Sequence, residues 1–128
     1  EDEGSRSREI LSCAFECPRP VRVNAPAIAI HLYRITQEAV INALRHGKPK
    51  RIVVRFAGSR GGAQLEIAND GKAFPKVLKR NRGMGLSIMK HRAAMIGASL
   101  DIRGRPEGGT SVICTFQNRR RVPREGRK

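Results

Sequence analysis

Apolar and polar positions along this chain follow two rhythms. In "ILSCAFECP" the residues Leu11, Cys13, Phe15 and Cys17 alternate with Ser12, Ala14 and Glu16. That period of two predicts a half-buried strand stopped by Pro18. "PRPVRVNAP" follows as a connector, and from Pro26 onward the apolar spacing changes to three and four. Pro26 suits a first turn, Asn24 or a neighbour offers a cap, and Gly47 offers a stop, so one long helix is expected over about 26–46. "RIVVRFAG" (51–58) and "AQLEIAND" (63–70), joined by "SRGG", predict a hairpin. Residues 71–83 break both rhythms with glycines, a proline and the basic residues Lys76, Lys79, Arg80 and Arg82, which predicts a mobile loop. In "GLSIMKHRAAMIG" the residues Leu86, Met89, Ala93 and Ile96 share one helical face, and Gly97 ends it. Two last strands, "SLDIRGR" and "GTSVICTFQ", meet across "PEGG".

The order is strand, helix, two strands, helix, two strands. Strands that come in adjacent antiparallel pairs do not build a doubly wound sheet. The fold class expected is α+β, a two-layer α/β sandwich with a mixed sheet and its helices on one face.

Within the first helix, Glu38, Asn42 and His46 stand four apart and form a polar line, with Arg45 beside its far end. Ile35, Ala39, Ala43 and Leu44 flank the line and place it at the border of the core. A carboxylate and an amide at such a border need partners, because an unpaired buried polar group costs roughly 1–3 kcal/mol. A divalent cation with its waters would supply them, and hard oxygen donors few in number suit magnesium on a nucleotide. A hydrogen bond from Asn42 to a neighbouring strand, with Glu38 turned to solvent, fits the helix equally well. "NDGKAF" comes straight off a strand, and Gly83 and Gly85 stand just ahead of the second helix, whose amides and dipole suit phosphate. The ordered combination of E-x-x-x-N, D-G and GxGL is far more specific than any one part.

Charge and length adjust this picture only slightly. At 128 residues the chain is one domain by size. The net charge of +15 draws attention to nucleic acid, yet the tail "RRRVPREGRK" holds six basic residues against one acidic. With four Phe, one Tyr and no Trp, there is little aromatic surface to interleave with bases. No stable nucleic-acid binding is therefore expected. Cys13, Cys17 and Cys114 lack the partners of a zinc site and are expected to be three buried thiols in a reducing compartment. No run of about 18 apolar residues or secretory signal occurs, so a cytoplasmic location is expected. The start at Glu1, followed by polar "EDEGSRSRE", suggests a segment of a longer protein. The division expected is a linker over 1–9, a domain over 10–118 and a basic, disordered tail over 119–128.

Three stretches carry a resemblance to a known family. "LYRITQEAVINALRHGKPKRIVV" resembles the N box of bacterial sensor histidine kinases, "LEIANDGKAF" their first glycine box, and "RGMGLSIMKHRAAMIGASLDI" with "GGTSVICTF" their second. The chain is similar over about residues 10–117 to the catalytic ATP-binding domain of these kinases, within the group that includes gyrase, Hsp90 and MutL. It is most similar to the subgroup that partners LuxR-type response regulators. The resemblance implies the Bergerat ATP-binding fold, with ATP and Mg2+ as cofactors. It implies that Asn42 binds magnesium while Glu38 holds or polarises its water, these two being the catalytic pair. Arg45 and His46 would approach the phosphates, assisted by Lys48. Asn69 would read the adenine with Thr110 reaching toward it, and Gly71 and Ala73 would belong to the nucleotide-binding turn. Asp70 would play a neighbouring role or stand only in that turn, and Arg82, Gly83, Met84, Gly85 and Leu86 would line the nucleotide on the phosphate side. Lys72 to Arg82 would be a short ATP lid.

The chain departs from the family's Asp-x-Gly-x-Gly pattern, with Asn69 where the aspartate belongs and Ala73 where the second glycine belongs. An amide can both accept from the adenine amino group and donate to a ring nitrogen. His31 and His91 are expected in packing or surface roles. The phosphorylated histidine of the family lies on a separate dimerisation domain that this chain lacks. The resemblance thus implies that domain of the same protein and a response regulator as partners, with the fragment itself monomeric. An anti-sigma-type serine kinase of the same fold, or a degenerate ATP domain serving as a docking module, are the alternatives.

Overall fold

A computed structural model describes residues 10–18, 21, 23, 25–59, 61–72 and 84–117. Strand β1 (Ser12–Glu16) is followed by helix α1 (Pro26–Asn42), which continues as a π-helical turn (Ala43–Gly47). Strands β2 (Arg51–Ser59) and β3 (Gly62–Asn69), helix α2 (Met84–Met95), and strands β4 (Ser99–Gly104) and β5 (Thr110–Gln117) complete the order. The five strands form one sheet in the order β1-β2-β3-β5-β4, with β1 parallel to β2 and every other pair antiparallel. This is the expected mixed sheet with both helices on one face.

The core follows from the period of two in three strands and the helical period in α1 and α2. Ile52 on β2, Leu65 and Ile67 on β3, and Val112, Cys114 and Phe116 on β5 turn one way and are buried. Leu32, Ile35 and Ala39 of α1 and Met89 and Ala93 of α2 close over them. Phe56 and Phe116 stack across the sheet with ring centroids 6.2 Å apart. Burial of each such large side chain stabilises the fold by about 1.5–3 kcal/mol. Burial also pushes the Cys114 thiol up to about 11, so it stays protonated at neutral pH. The opposite face of the sheet is polar, as the Arg55–Glu16 pair and the Ser111 hydroxyl donating to Glu66 show.

Three expectations need correction. Strand β1 forms, but it is mostly exposed rather than half-buried: it is an edge strand, and α1 lies over the middle of the sheet, leaving Phe15 66% exposed. Cys13 and Cys17 are exposed with it, so only Cys114 of the three thiols is buried. An apolar concavity of about 520 Å³ lies under this edge, lined among others by Cys13, Phe15, Tyr33, Val40 and Phe56, and it contains none of the candidate site residues. The third correction lies at the helix end. The π turn changes the rotation per residue after Asn42, so the polar line of Glu38 and Asn42 does not continue to His46, which is exposed, as is Leu44. The left-handed residue beyond the turn is Lys48, at φ 47°, and not Gly47.

The first hairpin is fastened where β2 begins and β3 ends. Asp70 Oδ1 accepts from the backbone N–H of Lys50 at 2.8 Å and of Arg51 at 3.0 Å, while the Asp70 N–H donates to the Arg51 carbonyl. The N–H groups of Arg51 and Lys50 hold the Asp70 carboxyl below its ordinary value of 3.8.

Two outcomes are expected. Ile35 is fully buried, so Ile35→Ala leaves a cavity and should cost about 2–5 kcal/mol in urea unfolding. Because the Asp70 pKa is lower folded than unfolded, its contribution is present above pH 3.8 and is lost as pH falls toward the folded value. The stability gap between wild type and Asp70→Ala should therefore narrow below pH 3.8, and a gap constant from pH 7 to 3 would rule out the ionised clamp.

Candidate functional site

Alternation along the strands buries one residue in two, and at one end of the sheet that inward row becomes polar. Ile52, Asn69 and Thr110 are successive partners across β2, β3 and β5. Asn69 and Thr110 have the same orientation as the apolar Ile67 and Val112, yet carry an amide and a hydroxyl at 6% and 1% exposure. Asn42, at the last position of α1, is 7% exposed. Among the described residues the buried polar side chains are these three and Ser111, which is satisfied on the other face by Glu66. Three residues chosen from sequence thus account for the polar part of the core.

Local chemistry fixes the turn beside them. Asn69 Oδ1 accepts from the Gly71 N–H at 2.7 Å, an Asx-type turn that draws the chain tightly around Asp70. Lys72 N–H then donates to the Gly47 carbonyl at 2.8 Å, docking the turn on the end of the π helix. A side chain at Gly71 would collide with that same carbonyl. Gly109, at φ +98°, packs against the Asn69 carbonyl so closely that any Cβ would strike it. Arg105 approaches from the same loop: its Nη1 donates to the Asn69 carbonyl at 3.2 Å, and its Nη2 pairs with Glu107 at 2.7 Å. Asn69 is therefore held through its side chain on one side and its carbonyl on the other.

Neither the Asn42 amide nor the Glu38 carboxylate has a hydrogen-bond or ion-pair partner among the described residues, although Asn42 is nearly buried and Glu38 half-buried one turn earlier. The alternative of Asn42 bonded to a neighbouring strand is not what the structure has. Two oxygen-bearing side chains without a protein partner among the described residues, on one line of a helix, are a donor set that suits a hard cation.

The predicted residues come together unequally. Asn69, Gly71 and Thr110 gather at the polar end of the sheet, and the Gly47 turn joins it to the helix that carries Asn42 and Glu38. Asp70 is exposed and engaged as the backbone clamp. Arg45, His46 and Lys48 are exposed on the π turn and just beyond it. Leu86 is half-buried against the core. Helix α2 spans Met84–Met95, so Gly85 lies within its first turn and not ahead of it. Ala73, Lys76, Lys79, Arg80, Arg82, Gly83, the cap at Asn24 and the tail lie outside the described residues. Sequence reading missed Arg105 and Gly109. The pair Gly108-Gly109 was its only signal, and such a pair marks a turn without saying what packs against it.

The profile of one family, the histidine kinase-, DNA gyrase B-, and HSP90-like ATPases, matches residues 27–120. The nitrate/nitrite sensor protein NarX of Escherichia coli is 34% identical over 97 residues, which are 76% of this chain and 16% of NarX. The sensor protein VraS of Staphylococcus haemolyticus is 38% identical over 82 residues, 64% of this chain and 24% of VraS. The chain thus spans about a sixth to a quarter of these relatives' length. Among solved structures, the ATP binding domain of PrrB from Mycobacterium tuberculosis superposes with a TM-score of 0.67 at 20% identity, covering 93% of this chain and 88% of that one. The catalytic domain of histidine kinase ThkA gives 0.69 at 21% identity, covering 91% and 84%. At that identity the likeness speaks for the fold, and the family profile speaks for descent: the chain belongs to the histidine kinase-, DNA gyrase B- and HSP90-like ATPases.

Proposed function

We propose that this chain is the ATP-binding catalytic domain of a two-component sensor histidine kinase, presenting Mg-ATP to a histidine on a dimerisation domain of the same protein. From there the phosphoryl group would pass to an aspartate of a LuxR-type response regulator. The observation that carries the reading is the nearly buried, unpartnered Asn42 amide, on a helix whose end is docked to the Asn69–Lys72 turn. Both sensor relatives fit a kinase of this kind. Among the described residues no three His, Cys, Asp or Glu side chains are grouped to hold a metal ion. Magnesium shared between one amide oxygen, water and phosphate needs no such group.

In this reading Asn42 would hold the magnesium ion through its side-chain oxygen, and Glu38 would orient or polarise its water. Magnesium, when bound, neutralises charge on the phosphate oxygens. Asn69 keeps Nδ2 and one Oδ1 lone pair for the adenine edge, since the Gly71 N–H occupies only the other. Thr110 stands beside it on β5, and Asp70 and Gly71 give the turn its shape. Arg45, His46 and Lys48 bring positive charge to the helix end. By the family's pattern, Arg82, Gly83, Met84, Gly85 and Leu86 would serve the phosphate side and Ala73 the start of a lid. Catalysis rests on positioning and charge neutralisation, because phosphoryl transfer asks little covalent help from the protein.

Calorimetry with a non-hydrolysable ATP analogue should show magnesium-dependent binding that Asn42→Ala abolishes. Failure of the folded wild-type domain to bind at millimolar nucleotide would instead favour a docking module. In the full-length protein, Glu38→Gln should lower phosphoryl transfer on the order of 100-fold while leaving nucleotide bound. Labelled ATP in the same assay separates histidine from serine acceptors, since a phosphoserine product would displace the histidine kinase reading.

A further inference from the structure

Where α1 and α2 lie side by side, away from the polar end of the sheet, the surface folds into a concavity of about 450 Å³ lined by His31, Ser87, Ile88, His91, Arg92 and Met95. Its polar groups are two imidazoles, a hydroxyl and a guanidinium, and no carboxylate lines it. Ser87, His91 and Met95 follow at spacing four and are exposed, while His31 and Arg92 are half-buried.

Arg92 is the unusual member. Its Nη1 lies 3.3 Å from His31 Nδ1. Arginine has no acceptor, so it donates there, and the accepting ring carries its proton on Nε2. Arg92 Nε is buried with no hydrogen-bond partner among the described residues. A guanidinium stays charged at every physiological pH, and a cation withdrawn from water is normally paired with an anion. The ion pairs among the described residues bring Glu16 to Arg55, Asp101 to Arg103 and Glu107 to Arg105, and none reaches Arg92. Among the described residues Arg92 is thus a half-buried positive charge whose one partner is a ring nitrogen. Around it stand further donors: the Ser87 hydroxyl, the His91 ring and the His31 Nε2–H.

We propose that this notch between α1 and α2 is an oxyanion-binding site, taking a carboxylate or a phosphate. The anion would supply the charge that Arg92 lacks and accept from Ser87 and His91. Ile88 and Met95 provide an apolar wall for the organic part of such a ligand. The inference stands on this geometry alone and does not depend on the nucleotide reading.

The test is NMR of the histidine side chains in the nucleotide-free domain, titrated separately with acetate and with inorganic phosphate at constant pH and ionic strength. Saturable shifts of His31 and His91 are expected, and the tighter of the two anions identifies the ligand chemistry. Arg92→Met should weaken binding by about tenfold or more, the scale of a charge-assisted contact. If Arg92→Met does not fold, the exposed pair Ser87→Ala and His91→Ala serves instead, read at His31, with about tenfold weakening and unchanged urea unfolding. Asn42→Ala should keep the response, which separates this notch from phosphate binding at the end of α1. Shifts that do not saturate with either anion, or that survive these notch substitutions, would overturn the proposal and leave Arg92 as a strut between two helices.

Discussion

The geometry of the candidate site turns on one hydrogen bond between elements that are distant in sequence, from the Lys72 N–H to the Gly47 carbonyl. It ties the end of the first helix to the turn that leaves the third strand. Asn69, buried at the end of the third strand, sits beside that tie. Asn69 shapes the turn through its side chain, Asp70 clamps it to the start of β2, and Gly71 lets it come close enough to be bonded. The helix end is no less specialised, because a π turn and a left-handed Lys48 replace an ordinary stop. The π turn begins just after Asn42 and ends the polar stripe of Glu38 and Asn42 there.

The division between apolar and polar along the inward row explains why the site sits where it does. Helices need an apolar sheet beneath them, and α1 and α2 obtain one from β2, β3 and β5. At one end the same row carries Asn69 and Thr110, so the core stops and a cleft chemistry begins without any change in backbone geometry. The candidate site therefore lies at the boundary of the core. The rigidity of the site then comes from packing that would exist anyway. The exposed basic residues of the π turn add field to this boundary but little structure.

Much of this was legible in the residues. Element order, the mixed sheet, the inward face of α2, and the shared helical line of Glu38 and Asn42 all follow from spacings of two, three and four, because burial on one face imposes those periods on any sequence. The same logic failed for β1. Alternation shows that a strand has two faces, but it cannot show whether a helix covers one of them, and an edge position left Phe15 and two cysteines exposed. It failed again for His46, since a one-residue widening of a helix leaves no mark in the pattern of apolar positions.

By itself, then, the sequence determined the fold class through local propensity and periodicity and the family through ordered motifs, while its resemblance to that family singled out Asn69, Gly71 and Thr110 beside the Asn42 that helical spacing had marked. Only the tertiary structure decided that Asp70 is a backbone clamp and that Arg105 and Gly109 brace Asn69. It also decided that Arg92 stands beside His31 without a counter-ion among the described residues. Those facts depend on contacts between residues 19 to 61 positions apart, and such contacts are fixed by how layers pack, which no local pattern encodes.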